Sequence, residues 1–295
     1  MKLATFTRNG ATAVGKVFGD QVIDLSIACP ELPRDMRGIL AAGEAALARI
    51  RGVDEKAGAM YPLAQVKLEA PVPNASKFLA IGLNYKDHAA EAVKKSIKIP
   101  EHQVWFNKQV SCIAGPYDPI HLPRVSVQLD YEIELGVIIG KRCRHVSAAD
   151  AKGVIAGYTV MNDVSVRDWQ LRTPTWTIGK SFDTHGPCGP WLVTADEIAD
   201  PHALEMRLLV NGKVHQKGST GLMINDIFQQ IEHLTTVMTL EPGDLIATGT
   251  PAGVGIAMDP PFWLKAGDVV RAEIEGIGHI ENVVVAEPAP RSPSA

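Results

Sequence analysis

The chain has 295 residues, of which 46% are hydrophobic and 21% charged, as in an ordinary soluble globular protein. The formal net charge of −4 contains no long run of either sign, so there is no electrostatic footprint for nucleic acid or for an anionic membrane. No signal peptide and no membrane span are recognisable, and the dispersed cysteines predict a cytoplasmic protein with reduced thiols at Cys29, Cys112, Cys143 and Cys188.

The first part of the chain has the pattern of a small α+β unit. Asn-Gly and Gly-Asp turns separate three short apolar runs, which is typical of a strand meander, and residues 35–51 carry a helical apolar stripe. Residues 70–76 combine two prolines with polar residues, the composition of a linker. We therefore predict a small N-terminal accessory domain over residues 1–70.

From residue 77 onward the chain consists mainly of short apolar segments separated by Gly and Pro. Helical patterns are confined to residues 85–94, 163–171 and 224–238. Runs of strands with occasional helices favour a mixed α+β, mostly β fold over a regular βαβ array. The Pro- and Ser-rich tail over residues 286–295 is predicted to be disordered.

The clearest local signal is residues 129–140, in which apolar and acidic residues alternate. Asp130, Glu132 and Glu134 would share one face of a strand, with successive members about 7 Å apart along the backbone. Two carboxylates at this spacing can converge on one cation, and oxygen ligands suit Mg²⁺, Mn²⁺ or Ca²⁺ better than zinc. The pattern alone also fits a solvent-facing acidic strand.

A second polar group follows at the helix predicted over residues 163–171. Asp163, Arg167 and Gln170 stand at positions i, i+4 and i+7, and Asn162 or Asp163 is a suitable N-cap. One interpretation is a helix cap with an i,i+4 ion pair. The other places Asp163 on a metal as a third carboxylate, with Arg167 and Gln170 facing the same cavity.

His88 and Glu91 stand at i and i+3 of the helix predicted over residues 85–94. A carboxylate that orients an imidazole makes a suitable general base, although a contact on a surface helix would have the same spacing. The polar segment that follows would suit a mobile lid.

Lys180 lies in an otherwise uncharged stretch before two Gly/Pro turns. It is either a solvated loop residue or, beside a metal cluster, a group that binds an oxyanion. The Gly-rich residues 245–255 lack the phosphate-loop arrangement, which argues against nucleotide binding, but they offer backbone N–H groups and the Thr250 hydroxyl to an anion. The sequence also lacks the G-x-S-x-G elbow of many serine hydrolases.

Six ordered motifs between residues 77 and 285 together resemble the fumarylacetoacetate hydrolase family. They read IGLNYKDHAAE, FNKQVSCIAGPYDPI, LDYEIELGVIIG, GYTVMNDVSVRDWQ, GKSFDTHGPCGPW and LEPGDLIATGTPAGVG. The resemblance implies a distorted β-roll catalytic domain over residues 77–285, commonly a homodimer, with bound Mg²⁺ or Mn²⁺. Residues 172–176 and 258–268 depart from the family pattern, and both departures bear on the substrate side group.

The resemblance also assigns roles to nine side chains. They are Glu132, Glu134 and Asp163 as metal ligands, His88, Glu91 and Lys180 as catalytic groups, and Arg167, Gln170 and Thr250 as substrate contacts. The implied reaction is C–C bond hydrolysis of a small anionic 2-oxo acid, a 2,4-dioxo acid of the acylpyruvate or fumarylpyruvate type, through a metal-bound enolate. Oxaloacetate decarboxylation and isomerisation of a 2-hydroxyhepta-2,4-dienedioate-type diacid would use the same enolate. A keto-acid-binding sensor is the non-enzyme alternative.

Overall fold

A computed structural model of the chain describes residues 1–94 and 101–289. Part of the predicted mobile lid (residues 95–100) and the end of the predicted tail (residues 290–295) lie outside the described residues. The α-helices are α1 (Leu25–Ala28), α2 (Met36–Ala41), α3 (Gly43–Arg51), α4 (Lys86–Lys94), α5 (Arg167–Gln170) and α6 (Ile227–Val237).

The strands contain far more of the described chain than the helices, so the predicted mixed α+β, mostly β fold class is confirmed. In chain order they are β1 (Lys2–Arg8), β2 (Ala11–Phe18), β3 (Gln21–Asp24), β4 (Met60–Pro62), β5 (Lys67–Leu68), β6 (Phe78–Gly82), β7 (Val104–Lys108), β8 (Ile113–Ala114), β9 (Ile120–Leu122), β10 (Leu129–Asp130), β11 (Ile133–Ile139), β12 (Ile155–Asn162), β13 (Ser165–Val166), β14 (Gly186–Thr194), β15 (Glu205–Val210), β16 (Lys213–Ser219), β17 (Leu245–Ala247), β18 (Val269–Ile274) and β19 (Gly278–Ala286).

The largest sheet has the order β4-β3-β2-β1-β14-β12-β11-β17-β6-β7. Three of its first four strands, β1 to β3, are the predicted N-terminal meander, and β4 pairs with β3 at the edge. That meander continues the main sheet because β1 pairs with β14, with Lys2 opposite Val193. The division of the chain at residues 70–76 stays a prediction.

Both faces of the central strands are covered, and β11 and β12 are buried along their whole length. On one face, Leu135 and Val137 pack against a second sheet of order β16-β15-β18-β19-β9 and against α6. On the other face, Ile138 belongs to a cluster that includes Met36 and Ile39 of α2. Polar side chains at the end of these strands are therefore held in a rigid, largely dry framework.

The cysteines and the lengths of the helices are two further features of the fold. All four cysteines are buried and unpaired, as the sequence predicts. Among the helices of the described residues, none combines the length and the apolar character needed to cross a bilayer.

His185, which precedes β14, is a fully buried imidazole. Its Nε2 donates to the carbonyl oxygen of His121 over 2.8 Å, whereas Nδ1 has no hydrogen-bond partner among the described residues. Burial lowers the pKa of His185 from 6.5 to about 3. In the unfolded chain this imidazole binds a proton near pH 6.5, whereas in the folded chain it binds one only near pH 3. The free energy of unfolding therefore decreases as the pH falls from 6.5 to about 3.

Replacing His185 with Gln is expected to remove this acid sensitivity while an amide N–H can still donate to His121. Between pH 7 and pH 5 the wild type is expected to lose about 2 kcal/mol more unfolding free energy than His185→Gln. Urea titrations at both pH values measure the difference. Equal losses in the two proteins would contradict a buried neutral imidazole.

Candidate active site

Two neighbouring strands bring the predicted metal ligands together. Glu134 lies in β11 opposite Met161 of β12, and Glu132 directly precedes β11. The Glu132 N–H donates to Asn162 Oδ1 over 2.9 Å, and the Asp163 N–H donates to the Glu132 carbonyl over 2.8 Å. One carboxylate oxygen each from Glu132, Glu134 and Asp163 therefore lie within 4.8 Å of one another. All three side chains are buried, so the alternative of a solvent-facing strand is wrong.

The helix predicted over residues 163–171 is wrong in its first half. The β-branched and buried Val164 and Val166 flank Ser165 in a segment whose strand, β13, pairs with β10, and this tertiary pairing overrides the local helical pattern. The helix α5 begins only at Arg167, with Val166 at its N-cap and no side-chain cap bond. Asp163 is thus no helix cap; it enters the cluster from the chain that follows β12.

Arg167 and Gln170 nevertheless reach the cluster from α5. Arg167 Nε donates to Asp130 Oδ2 over 2.8 Å, Nη2 to Glu132 Oε1 over 2.6 Å, and Nη1 to Gln170 Oε1 over 2.9 Å. Burial opposes the charge of Arg167, but Asp130 and Glu132 more than offset this and raise its pKa above the ordinary value. Arg167 is therefore a fixed cation that orients Glu132.

Two buried lysines complete the cluster. Lys180 Nζ lies 2.5 Å from Glu132 Oε2 and 2.7 Å from Asp163 Oδ2. Lys180 is only 2% exposed, so the solvated-loop alternative is wrong. Lys108 Nζ lies 2.7 Å from Asp163 Oδ1 and also donates to the Lys180 carbonyl. Lys108 is not among the site residues predicted from the sequence, where its only signal is a lone cation in the FNKQVSC segment.

The cluster holds more negative than positive charge. Among the described residues, four buried carboxylates meet three buried cations, namely Asp130, Glu132, Glu134 and Asp163 with Arg167, Lys108 and Lys180. Glu134 makes no ion pair within the described part of the chain and accepts a hydrogen bond from the Gly249 N–H over 2.7 Å. Burial, with Asp163 and Glu132 nearby, raises the pKa of Glu134 well above its usual range.

This arrangement fits a divalent cation. The three carboxylates offer hard oxygen ligands, which Mg²⁺ and Mn²⁺ prefer, and the excess charge at Glu134 would be neutralised by an ion there. The Lys180 ammonium lies between Glu132 and Asp163. An ion shared by all three carboxylates therefore requires the ammonium to draw back, which its flexible four-carbon stem allows.

His88 and Glu91 lie on α4 and line the same cavity as Glu132 and Lys180. His88 Nδ1 is 3.3 Å from Glu91 Oε2, and Glu91 Oε1 accepts from the Gly253 N–H over 3.1 Å. Because Glu91 occupies Nδ1, the Nε2 atom of His88 is the one available for proton transfer. Both side chains face the cavity, which favours the dyad over a simple surface contact.

The Gly-rich loop, residues 248–256, donates backbone N–H groups to carboxylates of the protein itself, and binding of an anionic ligand there stays a prediction. Its backbone donors are Gly249 to Glu134 (2.7 Å), Gly253 to Glu91 (3.1 Å), and Gly255 and Ile256 to Asp130 (2.7 and 3.0 Å). The Thr250 hydroxyl lines the cavity and accepts from Gln216 Nε2 over 2.8 Å, so its own proton can be donated elsewhere.

The cavity has a volume of about 420 Å³. Part of its lining, which we name the apolar wall, is formed by Ile81, Phe106, Leu171, Trp176, Val254 and Ile256. The wall reaches the ionic cluster, because the Phe106 ring centroid lies 5.1 Å from Lys180 Nζ. Trp176 has a left-handed backbone (φ 59°), which costs a bulky residue about 1–3 kcal/mol. Its ring packs edge-on against Phe106 at 5.6 Å between centroids, and Gly82 lies against it. Of residues 172–176, which depart from the family pattern, Trp176 thus contributes to the cavity.

Replacing Gly82 with Ala is expected to displace Trp176 from the apolar wall. The new Cβ would lie 2.3 Å from Trp176 Cζ3, and a rigid indole has to move as a whole. We expect a loss of about 1–3 kcal/mol of unfolding free energy. Denaturant unfolding measures it, with Gly153→Ala as the control because no heavy atom lies within 4 Å of a Cβ there. Similar stabilities of the two variants would contradict the contact.

Comparison with known proteins supports the resemblance. The family described as fumarylacetoacetate (FAA) hydrolase, C-terminal, matches residues 77–285. A relative from Burkholderia cenocepacia (strain HI2424) is 44% identical over 283 residues, which cover 94% of this chain and 96% of the relative.

Two solved structures share the fold over nearly the whole chain. Maleylpyruvate hydrolase from Sphingobium sp. SYK-6, in complex with manganese(II) and pyruvate, is 36% identical with a TM-score of 0.80 and covers 98% of this chain and 100% of its own. The 2-hydroxyhepta-2,4-diene-1,7-dioate isomerase from Mycobacterium marinum is 37% identical with a TM-score of 0.77 and the same coverage. The chain therefore belongs to the fumarylacetoacetate hydrolase family of enzymes.

Proposed function

We propose that this protein is a divalent-metal-dependent hydrolase that cleaves a C–C bond in 2,4-dioxo acids of the acylpyruvate type. The observation that supports this most directly is a single cavity that contains Glu132 and Glu134 of the acidic cluster, the His88–Glu91 pair and Lys180. A pure keto-acid sensor would have no use for a paired imidazole and carboxylate beside such a cluster.

Hydrolysis of a 2,4-dioxo acid needs an activated water and a stabilised enolate. Mg²⁺ or Mn²⁺ held by Glu132, Glu134 and Asp163 would supply positive charge that lowers the energy of the enolate. His88, oriented by Glu91, takes a proton from the water that attacks the 4-carbonyl carbon. The C3–C4 bond then breaks, its electron pair passes to the pyruvate fragment, and protonation at C3 gives pyruvate and a carboxylic acid.

The remaining side chains position these groups. The Lys180 ammonium, once it withdraws from the carboxylates, can donate to the oxygen that gains negative charge at C4. Arg167 holds Glu132 in place, and Gln170 and Thr250 present polar atoms to the cavity. In this proposal Arg167 acts mainly through Glu132, because its three guanidinium nitrogens already donate to protein oxygens.

Isomerisation is a second candidate, favoured by the 37% identity to the Mycobacterium marinum protein named as an isomerase. Isomerisation moves a proton between carbon atoms of the substrate and needs no nucleophilic water. The His88–Glu91 pair would then take the proton from a substrate carbon instead of from water. Decarboxylation of oxaloacetate would likewise pass through an enolate without any attacking water.

A substrate panel discriminates these functions. Acetylpyruvate, oxaloacetate and an unsaturated 2-oxo diacid are each incubated with Mn²⁺ or Mg²⁺, with EDTA as the control. We expect metal-dependent release of pyruvate and acetate from acetylpyruvate at the highest kcat/KM. Binding without turnover would indicate a sensor, and faster isomerisation of the diacid would indicate the second candidate.

A further inference from the structure

We infer that the substrate carries an uncharged, apolar acyl group and that 2,4-dioxo acids with a second carboxylate are poor substrates. This inference rests on the proposed function and adds the chemical class of the substrate. It excludes the fumarylpyruvate type of diacid that the family resemblance left open.

The first support is the apolar wall. It supplies much of the lining of a cavity of about 420 Å³, so the part of a ligand that extends beyond the acidic cluster meets hydrocarbon and aromatic surface. Trp176 and Phe106 form an aromatic corner in this wall. An acyl chain gains by removing its apolar area from water there, whereas a carboxylate loses its hydration.

The second support is the state of the cations that line the cavity. Arg167 is bound to Asp130 and Glu132, and Lys180 is bound to Glu132 and Asp163. The imidazole of His88 is paired with Glu91. Among the described residues that line the cavity, no other side chain can carry positive charge, so within that lining a distal carboxylate would meet only cations that are already paired.

A matched pair of substrates tests the inference. Butanoylpyruvate and succinylpyruvate have the same chain length and differ in a terminal methyl against a terminal carboxylate. With Mn²⁺ present we expect kcat/KM to be at least ~10-fold higher for butanoylpyruvate. Equal or faster turnover of succinylpyruvate would overturn the inference while leaving the proposed function intact. Absence of turnover for both would instead contradict the proposed function.

A cation placed in the apolar wall is expected to reverse part of this preference. Leu171 lines the cavity and is 63% exposed, so Leu171→Arg can be accommodated at the cavity mouth. We expect the ratio of kcat/KM for butanoylpyruvate over succinylpyruvate to fall at least ~10-fold. Val237→Arg, at a similarly exposed position (65%) at the end of α6, is the control and should leave the ratio unchanged. An unchanged ratio in Leu171→Arg would contradict the placement of the acyl group at this wall.

Discussion

Replacing Glu134 with Gln is expected to lower kcat/KM more than about 100-fold. Loss of a metal ligand has a larger effect than loss of a residue that hydrogen-bonds to a ligand. The same substitution is expected to leave the thermal stability of the metal-free protein unchanged or raised. Glu134 has no ion-pair partner among the described residues, and its raised pKa means that the folded state disfavours its charge. A neutral isostere removes that repulsion.

Glu132→Gln is the informative comparison. Glu132 receives Arg167 Nη2 and Lys180 Nζ, so its neutralisation leaves two buried cations without a full counter-charge. We expect the same loss of activity together with a loss of about 3 kcal/mol of stability. Activity assays and denaturant unfolding on the two variants separate ligation from folding. A destabilised Glu134→Gln, or an active one, would contradict the assignment.

Metal binding has a readout that does not depend on turnover. At a Mn²⁺ concentration about 100 times the Kd, the wild type is expected to gain about 2.7 kcal/mol of stability. Glu134→Gln should lose most of this gain. An equal rise in Tm for both proteins on adding Mn²⁺ would place the ion elsewhere.

Replacing His88 with Ala is expected to slow acylpyruvate hydrolysis by about 10²–10⁴-fold, the range for loss of a positioned general base. Glu91 holds His88 at Nδ1 and is itself anchored by the Gly253 N–H, so the imidazole is oriented before substrate binds. Oxaloacetate decarboxylation needs no activated water, so it should fall less than about 10-fold in the same variant.

The ratio of the two activities is the measurement that matters for His88. His233→Ala, at an exposed position on α6, should leave both rates unchanged and controls for loss of a histidine as such. Equal losses of hydrolysis and decarboxylation in His88→Ala would mean that His88 acts in substrate binding or enolate stabilisation instead of water activation.

The sequence predicted correctly what depends on local periodicity. Alternation along a strand follows from backbone geometry, so the order of the residues is enough to assign Glu132 and Glu134 to one face. The same alternation grouped Asp130 with them, although Asp130 joins the cluster only through Arg167 and otherwise accepts from the Gly255 and Ile256 N–H groups. Because β10 ends at Asp130 and β11 begins at Ile133, the periodicity is interrupted between them.

What the sequence could not provide were contacts between distant segments. Lys108 is 55 positions from its partner Asp163, and no local spacing encodes such a pair. The false helix at residues 163–166 has a related cause, since Ser165 and Val166 gain backbone partners in β10 that a helical pattern does not anticipate. The place of Trp176 in the cavity lining likewise depends on its contacts with Phe106 and Gly82, which are distant in sequence.

The Gly-rich loop links the two halves of the site. Its peptide groups bond both Glu134, within the acidic cluster, and Glu91, on α4. A cation held by Glu134 would also restrain Gly249, four residues before the Gly253 N–H that anchors Glu91. The ion site and the orientation of His88 therefore depend on the same short backbone segment.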